Sequence, residues 1–191
     1  MKPVERAEVL DLESYEQVRE PFRRRIMAEK RVRRVPLGNH MTVLFENHDS
    51  VLFQIQEMLR TERISRELAI HHEIDTYNAL VPGPNQLSAT VFIEYPDHIE
   101  RDQMLERLVG VEGGFYLLAA GERQAAIGEK RGERTDRTTA VQYIRFSLSE
   151  RAARAIRKGD PLSLGVDHPS YSAEVELSPA TVQSLAADLN D

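Results

Sequence analysis

Cysteine is absent from the 191-residue sequence. Disulfide bonds, a thiol nucleophile and cysteine-ligated zinc or iron–sulfur clusters are therefore excluded. A bound metal ion would have to use oxygen and nitrogen ligands from Asp, Glu, His and water. Such a ligand set suits iron or manganese, so Fe or Mn is the only metal cofactor that we would expect.

Long apolar runs are also missing. No stretch approaches the roughly 18 apolar residues that a membrane span requires, and the opening residues, M-K-P-V-E-R-A-E-V-L, contain no apolar core of a secretory signal. We therefore expect a cytoplasmic protein that does not enter the membrane.

The common catalytic signatures are missing as well. The sequence has no glycine-rich phosphate loop, no G-x-S-x-G nucleophile motif and no H-E-x-x-H zinc motif. These absences favour a non-catalytic accessory or ligand-binding protein. A metal-dependent enzyme that uses Fe or Mn remains the alternative.

A chain of 191 residues can bury a sizeable core as one domain. Helical periodicity dominates residues 1–80, which contain one clear strand, and alternating strand patterns dominate residues 81–191. The expected fold is α+β: a single domain over residues 1–191, with a mainly antiparallel sheet flanked by helices. The β-α-β-β-β-α-β run of residues 87–166 can accommodate a ferredoxin-like core. The charged segment 130–138 is expected to be an exposed, mobile loop.

The stretch from Gly38 to Arg60 predicts a strand that leads directly into a helix. Met41, Val43 and Phe45 alternate with residues of the opposite face, as in a strand with one apolar side. Asp49 or Ser50 is the expected N-cap of the helix. The apolar face of the helix is formed by Val51, Leu52, Ile55, Met58 and Leu59.

Polar residues gather around this junction. Glu46, Asn47 and His48 lie beside the helix N-terminus, where free backbone N–H groups favour negative charge. The helix residues that fall outside the apolar face are Gln54, Gln56, Glu57 and Arg60. Together these residues predict a site for a small ligand or a metal ion. The alternative is that they only cap the helix and bond to one another.

A second polar group occupies the motif G-V-D-H-P-S-Y, where Asp167 and His168 are predicted to lie in a turn ahead of Pro169. A rigid turn explains both residues without any function. The functional alternative brings them together with the junction to form a metal site, with the ligands Glu46, Glu57, Asp167 and His168, and His40 as a further candidate. A weaker metal pattern places Glu67, His71 and Asp75 on one helix face.

Positive charge is concentrated in a predicted helix over residues 13–33, which Pro21 either kinks or divides. The net charge is -6, yet this helix and its end carry Arg23, Arg24, Arg25, Lys30, Arg31, Arg33 and Arg34. The arginines predict contact with a phosphate or an acidic partner. The alternative is a solvated face stabilised by Glu-to-Arg pairs one turn apart. Nucleic-acid binding through residues 23–34 is a second alternative that we do not favour, because few aromatic residues interleave with the cations.

Five segments carry a resemblance to a known family: R-R-V-P-L-G-N-H-M-T-V-L-F-E-N, Q-I-Q-E-M-L-R-T-E-R-I, Y-N-A-L-V-P, T-A-V-Q-Y-I-R-F and L-G-V-D-H-P-S-Y. Over nearly its whole length the chain resembles an uncharacterised bacterial family known only as a domain of unknown function. The resemblance implies genes located beside those for a rubrerythrin-like protein and an iron–sulfur oxidoreductase. It therefore implies a cytoplasmic role near iron or peroxide stress, with a protein partner from a redox pathway. A homodimer is also compatible with the sequence.

Overall fold

The computed structural model describes residues 1–128 and 136–190. The helices of this part of the chain are α1 (Leu12–Arg33), α2 (His48–Glu62), α3 (Glu67–Asn78), α4 (His98–Arg107), α5 (Glu150–Lys158) and α6 (Pro179–Asp188). The strands are β1 (Arg34–Leu37), β2 (Met41–Glu46), β3 (Gln86–Ile93), β4 (Phe115–Ala119), β5 (Glu122–Gly128), β6 (Val141–Ser147), β7 (Leu162–His168) and β8 (Tyr171–Glu176). Most of the charged segment 130–138, for which we predicted a loop, lies outside the described residues.

The strands form one 8-stranded sheet in the order β1-β2-β3-β6-β5-β4-β7-β8. Each neighbouring pair is antiparallel, which confirms the α+β expectation of a mainly antiparallel sheet flanked by helices. A ferredoxin-like core is not shown in residues 87–166. The strands β6 and β5 lie between β3 and β4, and no parallel pair forms among the described strands.

The sheet curls on itself, and its inner face encloses the larger hydrophobic core. Phe45, Phe115 and Phe146 are fully buried there, and each comes from a different strand. Three helices add apolar side chains to the same core: Leu105 from α4, Ile156 from α5 and Leu185 from α6. Leu108, which directly follows α4, belongs to it as well. Side chains therefore fill the interior of the curled sheet, as in small closed sheets.

The two edge strands meet at Tyr171. Its hydroxyl donates a hydrogen bond to the carbonyl of Leu37 (2.7 Å) and accepts one from the backbone N–H of His40 (3.0 Å). Gly38, between these two residues, has a φ of +68°, and a Cβ atom added there would collide with the Tyr171 ring. Glycine at position 38 therefore permits both the tight turn and the close approach of β8. Tyr171 joins two edges that share no strand pairing.

The helix α1 continues through Pro21 without a break. Asp11 caps it by accepting a hydrogen bond from the backbone N–H of Ser14 (2.9 Å). Of the two alternatives that the sequence left open, one continuous helix forms. Pro21 is exposed, and proline removes only one backbone donor from the helical ladder.

A second, smaller core lies between α2, α3 and the N-terminal segment of residues 1–11. Val4 and Val9 from this segment are almost fully buried. They pack in one cluster with side chains of the two helices, which include Val51, Ile55, Leu59, Ile70 and Ile74. The N-terminal segment therefore completes the hydrophobic face of α2.

One local prediction requires correction. We expected Asp167 and His168 in a turn, but β7 extends through both residues, which pair with Ser172 and Tyr171 of β8. The turn is shortened to positions 169 and 170, since the backbone of His168 is already extended ahead of proline. The strand β2 is buried on both faces, since Leu44 and Glu46 opposite its apolar side are buried as well.

We predict that Tyr171→Phe lowers the free energy of unfolding by about 1–3 kcal/mol, because one hydroxyl makes both hydrogen bonds between the sheet edges. Urea denaturation followed by circular dichroism measures the change. The matched control is Tyr116→Phe, whose hydroxyl bonds only to the exposed Glu174 (2.8 Å). Equal losses in the two variants would contradict the edge-joining role of Tyr171.

Candidate functional site

The N-terminus of α2 is capped by Asn47. Its Oδ1 accepts a hydrogen bond from the backbone N–H of Ser50 (2.9 Å), and the Ser50 hydroxyl accepts one from the backbone N–H of Asn47 (2.9 Å). The expected cap at Asp49 or Ser50 was therefore wrong. The helix begins at His48 because Asn47 is extended, with a φ of -147°, and can reach back to the first turn.

Glu46 is buried beside this cap rather than exposed as a ligand. Its carboxylate accepts hydrogen bonds from the Ser50 hydroxyl (2.5 Å) and from the Thr90 hydroxyl of β3 (2.7 Å). Only 7% of its surface is exposed. These bonds attach the start of α2 to the sheet, so Glu46 has a structural explanation.

Arg33, predicted as a partner contact, is instead almost completely buried, with 1% of its surface exposed. Its guanidinium donates to the carbonyls of Phe45 (2.9 Å) and Glu46 (3.0 Å). It also donates to the Ser184 hydroxyl (2.9 Å) and forms an ion pair with Asp188, both in α6. The five donors of arginine allow one side chain to satisfy all of these acceptors. The prediction that Arg33 contacts a partner was wrong.

The other predicted cations lie on the surface. Arg25 pairs with Asp49 of α2 and lies over the ring of Phe22, at 5.2 Å from its centre. Arg34 lies over the ring of Phe92, at 5.3 Å. The exposed cations that remain on α1 are Arg23, Arg24 and Arg31.

Glu57 and Arg60 belong to ion pairs that fix α1 on α2. The Glu57 carboxylate accepts hydrogen bonds from the Arg19 guanidinium (2.7 Å) and the Tyr15 hydroxyl (2.8 Å). The Arg19 bond, with help from Tyr15, holds the pKa of Glu57 below its ordinary value of 4.5. Burial and the same carboxylate raise the pKa of Tyr15. Arg60 bonds to Glu16 (2.5 Å), and Gln54 remains half-exposed on the outer side of α2.

Gln56 is buried, contrary to the expectation that it lies outside the apolar face. Its side-chain amide bonds to both backbone groups of Leu10, accepting from the N–H (2.6 Å) and donating to the carbonyl (3.2 Å). Asn78 of α3 holds Val4 in the same way, at 2.8 and 2.9 Å. Two side-chain amides thus attach the N-terminal segment to the helices.

The attached segment forms a cleft against the start of α2. The cleft has a volume of about 640 Å³ and is lined by Met1, Lys2, Pro3, Glu5, Glu8, Asn47, His48, Asp49 and Asp188. The imidazole of His48 lies between two carboxylates, with Nε2 at 3.2 Å from Glu8 and Nδ1 at 3.3 Å from Asp49. Of the predicted ligand residues, the structure brings Asn47 and His48 into this cleft.

The predicted metal ligands have separate sets of partners. Asp167 is exposed near Arg123 (3.6 Å), and His168 Nε2 lies 3.2 Å from the carbonyl of Val109. Neither shares a partner with Glu46 or Glu57. Within residues 1–128 and 136–190, no three His, Asp or Glu side chains are arranged to hold a metal ion.

The weaker metal candidates have other surroundings. His40 is stacked on Tyr95, with ring centres 4.1 Å apart. His71 lies 3.4 Å from Glu67, whose carboxylate is bound more closely by Arg6 (2.7 Å). Asp75 is exposed on the same helix.

Sequence reasoning missed the residues that the N-terminal segment and α6 bring to the cleft, chiefly Glu5, Glu8 and Asp188. No local pattern indicates that these distant segments meet. One signal for Gln56 was present, because it follows Leu52 by four residues and precedes Leu59 by three, which places it on the apolar face. A polar residue in that position needs a buried partner, which the backbone of Leu10 provides.

Comparison with known proteins places the chain in a family. A sequence model described as "Protein of unknown function (DUF3501)" matches residues 3–189, so the chain belongs to that family, and the resemblance seen in the sequence is confirmed. The structure is similar to a crystal structure of a novel protein of unknown function from Burkholderia pseudomallei. The identity is 38% and the TM-score 0.92, over 98% of this chain and 100% of the other. A search of curated proteins gives no match.

The described part of the chain contains no helix that combines the length and the apolar character of a membrane span.

We predict that Arg33→Met destabilises the protein by about 3–5 kcal/mol, because it leaves the buried Asp188 carboxylate without its cation. Urea denaturation measures this loss. The control is Arg23→Met, an exposed residue of the same helix, for which we expect almost no change. If Asp188→Asn in the Arg33→Met background restored none of the lost stability, the pairing would not be the cause.

We predict that Glu57→Gln costs about 1–2 kcal/mol of stability at pH 7, since Arg19 and Tyr15 lose a charged acceptor. The pKa of Glu57 is lower in the folded state than its ordinary 4.5, so the carboxylate stabilises the fold above that pH. This contribution disappears as the pH falls through the lowered pKa. The difference between wild type and variant should therefore shrink below pH 4.5. Glu62→Gln, exposed at the end of α2, should show no such trend in the same denaturation series.

Proposed function

We propose that this protein is a non-catalytic accessory protein that binds a small cationic ligand in the cleft between its N-terminal segment and α2. The observation that carries the proposal is the cleft itself. Its volume of about 640 Å³ falls in the range of small-molecule sites, roughly 300–1,000 Å³. It is also the place where two predicted ligand residues, Asn47 and His48, meet.

The charge of the lining favours a cation. Four carboxylates line the cleft, and the cations among the lining residues are Lys2 and the N-terminal ammonium of Met1. Asp49 and Asp188 already have arginine partners, so Glu5 and Glu8 supply the remaining negative charge. A ligand with an ammonium or guanidinium group fits such a lining.

An anion is less well suited, although a helix N-terminus lies in the cleft. The backbone N–H of Ser50 is taken by Asn47 Oδ1, and that of His48 points to the sulfur of Met1 (3.4 Å). Two of the backbone donors that would stabilise an anion there, those of His48 and Ser50, are thus already engaged.

The chemistry of the lining favours binding over covalent catalysis. No hydroxyl or thiol group is among the lining residues, and both nitrogens of the His48 ring face carboxylates. A hydroxyl or thiol nucleophile paired with a base therefore has no candidate among these lining residues. Because Glu8 and Asp49 lie at opposite nitrogens of one ring, they also do not converge on a single metal position.

The biological setting rests on the family resemblance rather than on the geometry. From the gene neighbourhood that the resemblance implies, we infer a cytoplasmic accessory role in a redox pathway that responds to iron or peroxide stress. The partner would then be a protein of that pathway.

We predict that the full chain binds small organic cations, and that removing the charge of Glu8 weakens binding about tenfold or more. Isothermal titration calorimetry with putrescine, spermidine and arginine methyl ester as probes measures the affinity. Glu8→Gln removes the charge while it keeps an amide acceptor beside His48.

The control is Glu106→Gln, an exposed carboxylate of α4 outside the cleft, which should leave binding unchanged. A loss of affinity in Glu8→Gln, with unchanged affinity in Glu106→Gln, supports the site. No binding by the wild type, or equal weakening by both variants, contradicts a cation site in this cleft.

A further inference from the structure

The outward face of α1 carries an apolar stripe that no other part of the described chain covers. Val18 is 42% exposed and Val32 37%, and the intervening stripe positions Pro21, Arg25 and Ala28 are also exposed. These positions follow one another at steps of three and four residues, as on a helix face that packs against another helix. The first half of the stripe borders a groove of about 450 Å³, lined mainly by apolar side chains that include Leu10, Tyr15, Phe22 and Leu52.

Arg25 does not interrupt this face with an unpaired charge. Its guanidinium already pairs with Asp49 and covers the ring of Phe22. A second molecule that packs on this face would therefore contact an arginine whose charge is already balanced and whose aliphatic part adds to the apolar surface.

The charges beside the stripe change sign along the helix. On its solvent side, Glu13 and Glu20 lie in the first half of α1, and Arg24 and Arg31 lie in the second half. All four side chains are exposed, and Glu20 also lies 3.3 Å from Arg19 of its own helix. The charges of such a helix surface are complementary to those of the same surface in a second copy whose α1 runs in the opposite direction.

An antiparallel pair of α1 helices, related by a twofold axis near residues 22 and 23, matches both features. In this arrangement Glu13 lies opposite Arg31 of the second copy, and Glu20 lies opposite Arg24 of the second copy. Val18 lies against Ala28 of the second copy in almost the same register. The two registers differ by about one residue, or about 1.5 Å along the helix axis. The twofold symmetry makes each of these contacts twice.

We propose that α1 is the interface of a homodimer in which two chains pack this stripe antiparallel. The occupant of the stripe is a second copy of this chain, because the reversed helix places a basic residue opposite each of the two acidic positions. The proposal goes beyond ligand binding and uses residues that do not line the cleft, apart from the pair of Arg25 with Asp49.

Charge reversal tests the pairing. In sedimentation equilibrium over roughly 1 μM to 1 mM full-length protein, the wild type is expected to dimerise. Glu20→Arg and Arg24→Glu, each alone, place like charges opposite each other twice and should raise the dimer dissociation constant about tenfold. Glu106→Arg on α4 is the control and should dimerise like the wild type.

The decisive experiment mixes the two single variants. Glu20→Arg protein and Arg24→Glu protein should form a heterodimer with near wild-type affinity, because every pair across the interface again joins opposite charges. This rescue separates the interface from any change within one helix, since neither chain regains its own charges. Circular dichroism confirms that each variant is folded.

A wild-type protein that stays monomeric over the whole range overturns the proposal. A dimer that neither variant weakens, or one that mixing fails to rescue, overturns it as well. Each of these results leaves the calorimetric test of the cleft unaffected.

Discussion

The buried guanidinium of Arg33 is the interaction on which the arrangement of this protein depends. It lies at the point where α1 ends, and it binds the carbonyls at the end of β2 together with Ser184 and Asp188 of α6. An arginine isolated from water needs all of its donors satisfied and its charge balanced, and here β2 and α6 share that task. The position of α2, which starts two residues beyond Glu46, follows from this junction.

The N-terminal segment depends on the same junction, because α2 and α3 provide its two amide clamps, Gln56 and Asn78. Each clamp pairs with a backbone N–H and carbonyl together, as a neighbouring strand would. The segment thereby buries Val4 and Val9, although its only regular structure is the short 3-10 helix Arg6–Glu8. It also lines both the cleft at His48 and the groove beside α1, so one irregular segment shapes the two recesses on this side of the protein.

Prediction from the sequence succeeded where a signal was local. The predicted helix over residues 13–33 and the predicted strand with Met41, Val43 and Phe45 on its apolar side are both found in the structure. The junction of β2 and α2 was also found, with its cap displaced to Asn47. The candidate site was predicted only in part, because Asn47 and His48 belong to the cleft while Asp167 and His168 lie elsewhere with other partners.

The sequence by itself determined the helices, most strands, the lack of thiol chemistry and the charge pattern of α1, because each depends on residues close together in the chain. Only the tertiary structure decided that Arg33 is buried while its neighbour Arg34 is exposed. Both are arginines at the end of one charged helix, and no local pattern distinguishes them. The distinction comes from α6, more than 140 residues later, whose Asp188 and Ser184 make burial of one guanidinium favourable. The physical reason is that the free energy of a buried charge depends on the partners that the fold brings to it.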